Sequence, residues 1–149
     1  MGEAAPGVAV THRILTDTGP LVALVNRRDP NHFRCLEASR VLPHGPLLTT
    51  WPCFTEAMYL VHRAGGYQGQ AALFALRSSG RLLFHDLTDE ETDRIDSLMR
   101  RYRDTPMDLA DASLVAVAES LGNRRIFTLD RRHFSVYRLA NGLGLELVP

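Results

Sequence analysis

From Arg13 onward the chain alternates short apolar runs with longer segments whose apolar residues recur at helical spacing. That alternation predicts strand–helix units around a parallel sheet. Arg13-Ile14-Leu15-Thr16-Asp17 reads as a first short buried strand, Leu47-Leu48-Thr49-Thr50 as a second and Arg81-Leu82-Leu83-Phe84 as a third. Ile126-Phe127-Thr128 reads as a fourth, and Leu143 to Val148 adds a fifth. After the first strand, Thr18 can cap and Pro20 suits the opening turn of a helix carrying Leu21 to Val25. Phe33, Leu36 and the residues to Arg40 mark a second helix, ended by Pro43 to Pro46. Pro52 opens a third, with Phe54, Ala57, Met58, Leu60 and Val61 on its apolar face and Gly65-Gly66 at its end. Gln70 to Arg77 repeats that pattern more weakly.

Two later helices differ in character. Thr88 and Glu91 have the spacing of a capping box. In the helix that follows, Ile95, Leu98, Met99 and Tyr102 share one side while Arg94, Arg100, Arg101 and Arg103 lie mainly elsewhere. Its outer face is either an arginine patch or an ordinary solvated surface. The helix from Asp108 to Leu121 is apolar on nearly every side, which predicts a central, buried element closed by Gly122.

Met1 to His12, with Gly2, Pro6 and Gly7 and little periodicity, reads as a loose leader, and residues 13–149 as one domain of a size that can enclose one core. No apolar run approaches the roughly 18–20 residues that a membrane span requires, so a cytoplasmic protein is expected, with Cys35 and Cys53 as thiols. Trp51, at a strand end, is expected in the core. His12, His32, His44, His62 and His85 show no zinc-ligand spacing.

Charge narrows the function. All 17 basic residues are arginine. The absence of lysine excludes a phosphate-loop nucleotidase, a Schiff-base enzyme and a lysine-bearing receiver domain. With a formal net charge of zero, attraction of a polyanion has to come from a local arginine patch.

The acids carry the chemistry. In open parallel sheets ligands bind beyond the carboxyl ends of the strands. Asp17 ends the first strand and Asp130 follows the fourth, so the two carboxylates approach each other if those strands are neighbours. Glu56 and Asp111 lie on otherwise apolar helices, and a carboxylate in such a place calls for a cationic or metal partner. Hard oxygen donors suit Mg²⁺ or Mn²⁺, and the matching reaction is phosphodiester hydrolysis. Each acid also has a plainer use: Asp17, Asp108 and Asp130 can cap helical turns, Asp111 can face a helix dipole and Glu56 can pair with an arginine. Asp108 and Asp111 share a helical face, so one can ligate while the other caps; Asp111 lies deeper in the apolar stretch and is the preferred ligand.

In this order, Leu15-Thr16-Asp17-Thr18-Gly19-Pro20-Leu21, Glu56, Ala110-Asp111-Ala112 and Thr128-Leu129-Asp130-Arg131-Arg132-His133-Phe134 resemble the PIN-domain family, and more narrowly the VapC-type toxins of bacterial toxin–antitoxin pairs. The resemblance spans nearly all of the chain after His12. It implies a three-layer αβα fold with a parallel sheet, a Mg²⁺- or Mn²⁺-dependent endoribonuclease and frequently a homodimer. It also implies a small antitoxin that inserts a basic side chain among the acids. Asp17, Glu56 and Asp111 match the family's three main acids and Asp130 its more variable fourth. Thr128 matches a hydroxyl residue that supports the metal site, and Asp108 stands at the site's edge. Arg131, Arg132 and His133 would lie at the mouth, where the guanidinium groups of Arg131 and Arg132 can grip RNA phosphates.

Two alternatives stand beside this reading. One is a non-catalytic PIN-fold scaffold or dimerisation module, against which the retained acids speak. The other is a metal-dependent phosphatase of the haloacid-dehalogenase kind, which needs an aspartate where this chain has Gly19, and also needs a lysine.

Overall fold

The computed structural model describes residues 13–43 and 45–149. The expected leader over Met1–His12 lies outside them, as does His44. Five strands form one sheet: β1 (Leu15–Thr16), β2 (Leu47–Thr50), β3 (Leu82–His85), β4 (Arg125–Phe127) and β5 (Glu146–Val148). Every pairing is parallel, in the order β3-β2-β1-β4-β5. The chain therefore builds outward from β1 to β3, then crosses to the other side of β1 for β4 and β5. The crevice at the carboxyl ends of β1 and β4 is where an open sheet of this order binds ligands.

Consecutive strand residues face opposite sides of a sheet, and both sides here are apolar. Leu15, Leu48 and Ile126 enter one core with Leu98, Leu114 and Val115, from α5 (Asp89–Arg101) and α6 (Leu109–Leu121). Their neighbours Ile14 and Phe127 point the other way. There they meet Ala23 of α1 (Thr18–Val25) and Cys35 and Ala38 of α2 (His32–Val41). A further cluster joins α1 to α3 (Trp51–Gly65) and α4 (Tyr67–Ser78) through Leu21, Phe54, Val61, Leu73 and Leu82. The strands are continuous in hydrophobicity because helices cover both faces, which gives the expected three-layer αβα arrangement. No helix among the described residues is long and apolar enough to cross a membrane.

Residues Ala110 to Ala118 of α6 are all buried, as their all-round apolarity predicts. The sheet lies below them, and α5 and α3 pack alongside. The capping box is formed: Thr88 Oγ1 accepts from Glu91 N–H at 3.1 Å, and Glu91 accepts from Thr88 N–H at 2.9 Å.

Three local expectations need correction. The ladder of β1 is shorter than Arg13–Asp17 because Asp17 already caps α1. Arg131–Phe134, read only as a turn that Asp130 can cap, forms a short helix, α7, with Asp130 as its N-cap. Trp51 does not enter the core. It is 46% exposed, stacks on Phe84 at 4.3 Å, and donates Nε1–H to Asp86 at 3.2 Å.

Candidate active site

The short ladder of β1 places the first acid. Asp17 N–H donates to Phe127 O at 2.9 Å, so the residue is held between β1 and β4. Its Oδ1 accepts from Thr18 N–H at 2.8 Å, which caps α1, and its Oδ2 accepts from the Thr128 hydroxyl at 2.8 Å. The same hydroxyl oxygen accepts from Asp130 N–H at 3.0 Å. One small side chain, using both its donor and a lone pair, ties the loop after β4 to the acid after β1. Asp130 in turn caps α7, accepting from His133 N–H at 3.1 Å, with His133 Nδ1 2.7 Å from its other oxygen.

Asp111 stands in the first turn of α6, where Asp108 is the N-cap and accepts from Asp111 N–H at 2.8 Å. Asp108 thus caps and Asp111 presents its side chain, the division that its depth in the apolar stretch favours. Asp111 Oδ2 accepts from Tyr137 O–H at 2.8 Å. Glu56, on α3, accepts from the Thr18 hydroxyl at 3.1 Å. Glu56 is exposed, so the argument from a charge stranded in a buried segment applies to Asp111 and not to Glu56. That glutamate projects from the polar side of an amphipathic helix toward the same cleft.

Asp17, Glu56, Asp108, Asp111 and Asp130 all line one cleft of roughly 540 Å³, together with Thr18, His133 and the apolar walls Leu60, Pro106 and Leu129. No guanidinium is among its lining residues. The electrostatic consequence is visible in the two buried acids. Asp17 is pushed up to about 6, by burial first, with the hydrogen bonds from Thr128 and Thr18 opposing and the negative charges of Glu56 and Asp108 adding to it. Asp111 is pushed up to about 7, by burial first, then by Asp108, with Asp17 and Asp130 adding to it and the Tyr137 hydrogen bond opposing. The carboxylates around them make Asp17 and Asp111 harder to ionise.

A divalent cation is the group that this imbalance fits. The donors are hard carboxylate oxygens, and the destabilised charges are of one sign. Among the described residues no three His, Cys, Asp or Glu side chains are already drawn together closely enough to hold an ion. Thr128, Tyr137, Thr18 and His133 instead hold the acids around the rim. Magnesium keeps several waters and leans on one or two carboxylates, so acids spaced around an open cleft suit it better than a tight cage would.

The structure therefore brings Asp17, Glu56, Asp108, Asp111 and Asp130 to one cleft, with Thr128 beneath them. Arg131 and Arg132 are exposed on α7, beside the cleft and not in its lining. Two contributors were not among the expected site residues, Thr18 and Tyr137, and His133 was expected at the mouth but not as the partner of Asp130. His133 had a local signal, lying three residues after Asp130, but it is legible only once α7 is known to be helical. Tyr137 had none: it lies 26 positions from the acid it touches, and only the tertiary fold joins them.

The model of the PIN domain family matches residues 14–139. Ribonuclease VapC26 of Mycobacterium tuberculosis is 27% identical over 139 residues, which cover 91% of this chain and 100% of that protein. Among solved structures, VapC20 of Mycobacterium tuberculosis, a sarcin–ricin loop cleaving toxin, aligns with a TM-score of 0.76 at 20% identity, covering 91% of this chain and 99% of its own. VapBC2 from Rickettsia felis, bound to a DNA fragment from its promoter, aligns with a TM-score of 0.63 at 19% identity, covering 90% and 97%. A toxin–antitoxin complex from Klebsiella pneumoniae gives 0.62 at 20%, covering 83% and 91%. The span matched by the family model takes in β1 to β4 and every acid of the cleft, and the chain belongs to the PIN domain family.

Proposed function

We propose that this protein is a Mg²⁺- or Mn²⁺-dependent endoribonuclease, the toxin of a toxin–antitoxin pair, with Asp17, Glu56, Asp111 and Asp130 as its acidic site. The observation that carries the reading is the convergence of five carboxylates on one cleft without a guanidinium, with the two buried ones held above their ordinary range. The likeness to Ribonuclease VapC26 over nearly the whole chain supports RNA as the substrate.

Bound among Asp17, Asp111, Asp130 and Glu56, a divalent ion would activate water and stabilise the charge that builds on the scissile phosphate. The chain's own residues do the rest. Thr128 orients Asp17 and the Asp130 backbone, Tyr137 orients Asp111, and Thr18 holds Glu56 toward the cleft. Arg131 and Arg132 stand where they can contact the phosphates of a strand entering it. An inserted basic side chain would relieve the same imbalance of charge, which is the chemistry expected of a small antitoxin. The neighbours solved as toxin–antitoxin complexes support such a partner, and the resemblance to VapC-type toxins supports a homodimer.

The test is cleavage of a structured RNA by the purified protein with Mg²⁺ or Mn²⁺, with EDTA, and with the Asp17→Asn and Asp111→Asn variants. Cleavage lost in all three controls is expected. Cleavage that persists in EDTA or in either variant overturns the assigned site, and a wild-type protein that binds neither metal nor RNA is the scaffold instead.

A further inference from the structure

The acidic cleft repels the substrate it is proposed to cleave, and the chain as a whole has no net charge to offset this. Binding energy for RNA has to come from cations beside the cleft. Four arginines of the α5 region were candidates, and the structure divides them. Arg94 is committed: its Nε and one terminal nitrogen bind the two Glu119 oxygens at 2.8 and 2.9 Å. Arg100, Arg101 and Arg103 are exposed and line a hollow of roughly 390 Å³ with Ser97 and Asp104. Arg100 reaches Asp96 at 3.2 Å, but the two side chains are 72% and 74% exposed, so that pair is weak and exchangeable. The Arg101 guanidinium lies 5.2 Å from the centre of the Tyr102 ring. Arg103 forms no ion pair among the described residues.

This hollow is joined to the acidic cleft in two ways. Along the chain, Arg103 and Asp104 are followed by Pro106 and Asp108, which line the cleft itself. Through space, the Tyr102 ring beneath Arg101 meets the Tyr137 ring at 5.2 Å, and Tyr137 holds Asp111. Tyr102 and Tyr137 are buried, so this connection is a packed and fixed one. Extended chain spans at most about 3.5 Å per residue, so the five steps from Arg103 to Asp108 keep the Cα atoms of those two residues within roughly 18 Å of each other.

We propose that Arg100, Arg101 and Arg103 form a second RNA site, which holds backbone phosphates of the strand on the α5 side of the scissile bond. The inference rests on the ribonuclease reading and adds where the strand runs. Guanidinium groups suit the task because they bind phosphate oxygens in a fork and stack on rings without giving up their charge.

The test compares Arg100→Gln/Arg101→Gln/Arg103→Gln with a control that removes equal charge at arginines lining neither the cleft nor the hollow, Arg40→Gln/Arg77→Gln/Arg81→Gln. Each set is made in an Asp111→Asn background to keep the strand intact, with Mg²⁺ present. The probes are single-stranded RNAs of about 20 and about 4 nucleotides, titrated over a series of salt concentrations. For the long RNA the α5 variant should bind at least about ten-fold more weakly at low salt, and its slope of log affinity against log salt should flatten by about 2. The control variant and the short RNA should change less than about two-fold. An unchanged slope, an equal loss in the control, an equal loss on the short RNA, or no binding of the long RNA by the parent overturns this second site. Mg²⁺-dependent cleavage is read separately on the unsubstituted protein. Its absence overturns the ribonuclease reading, whereas cleavage with an unchanged slope overturns only the α5 track.

Discussion

Glu91 and Asp111 are equally hidden carboxylates, 4% and 8% exposed, at the first turns of neighbouring helices, yet they lie on opposite sides of the ordinary range. Burial pushes Glu91 up as well, but His85 Nε2 at 2.9 Å and the Thr88 N–H outweigh it, and the net displacement is downward. Asp111 has one phenol and three like charges around it and is driven up to about 7. Burial is common to both; partnership separates them. A carboxylate whose neighbours complete it serves the fold, and one surrounded by other acids is free to take up a proton or the proposed metal ion.

The sharpest way to break this comparison is to exchange the consequences. Asp17→Asn and Asp111→Asn should lower RNA cleavage by at least about 10³-fold while leaving the fold at least as stable, because each removes a charge that its neighbours repel. Glu91→Ala should do the reverse. It leaves the Thr88 N–H and His85 without their acceptor and should cost on the order of 3 kcal/mol, with activity per folded molecule unchanged. Chemical denaturation beside the cleavage assay reads both arms. If Glu91→Ala loses activity without losing stability, the division of roles is wrong.

The pH dependence of stability in EDTA separates the two kinds of acid by sign. Asp17 and Asp111 lie above their ordinary value, so their contribution is fully present below about pH 4 and is lost as pH rises through about 6 and 7. Glu91 lies below its ordinary value, so its contribution holds at neutral pH and is lost as the medium becomes acid enough to protonate it. The melting temperature should rise by about 5 °C from pH 8 to pH 5 and fall below that. Asp17→Asn/Asp111→Asn should abolish the rise and keep the fall. A wild-type curve flat from pH 8 to pH 5 would remove the claim that burial and the acidic neighbours hold these two carboxyls above their ordinary range.

Magnesium should act on one region only. At pH 8 the ion offsets the repulsion within the cleft, and at a hundred-fold excess over its dissociation constant it should add about 2.7 kcal/mol. At pH 5, where Asp17 and Asp111 bind protons instead, the gain should shrink. An equal gain at both pH values would place the ion elsewhere.

The sequence made the sheet and its acids legible because both are local. Apolar runs of four or five residues mark buried strands, and Asp17 and Asp130 are found simply by noting where those runs stop. The capping box at Thr88 and Glu91 is likewise a matter of spacing. Glu56 lines the cleft with the other acids but is not a charge stranded in a buried segment, since helical periodicity gave its neighbours' face and not its own exposure. Trp51 escaped because Phe84, 33 positions away on β3, provides the stacking surface for this first residue of α3. What hydrophobic pattern cannot convey is a contact made across the fold. The partnership that distinguishes Glu91 from Asp111 begins with His85, six residues upstream, in one case and with Tyr137, reached only through tertiary packing, in the other.

Tyr137 therefore offers the finest test of the comparison. The residue is fully buried, with its ring against Tyr102 at 5.2 Å and Phe134 at 5.3 Å, so Tyr137→Phe keeps the packing and removes only the hydroxyl. That hydroxyl is the one hydrogen bond pulling Asp111 down against burial and its acidic neighbours. Without it, Asp111 should ionise at still higher pH, and the acid limb of the cleavage profile should move upward. Cleavage should fall about three-fold at pH 8 and about ten-fold near pH 6, with a stability loss on the order of 1 kcal/mol. A uniform fall at every pH would make Tyr137 a packing residue, since loosened packing gives no reason for the loss to track the ionisation of one carboxylate. A loss that deepens as the pH drops assigns it to holding Asp111 charged, the role that His85 and Thr88 perform for Glu91.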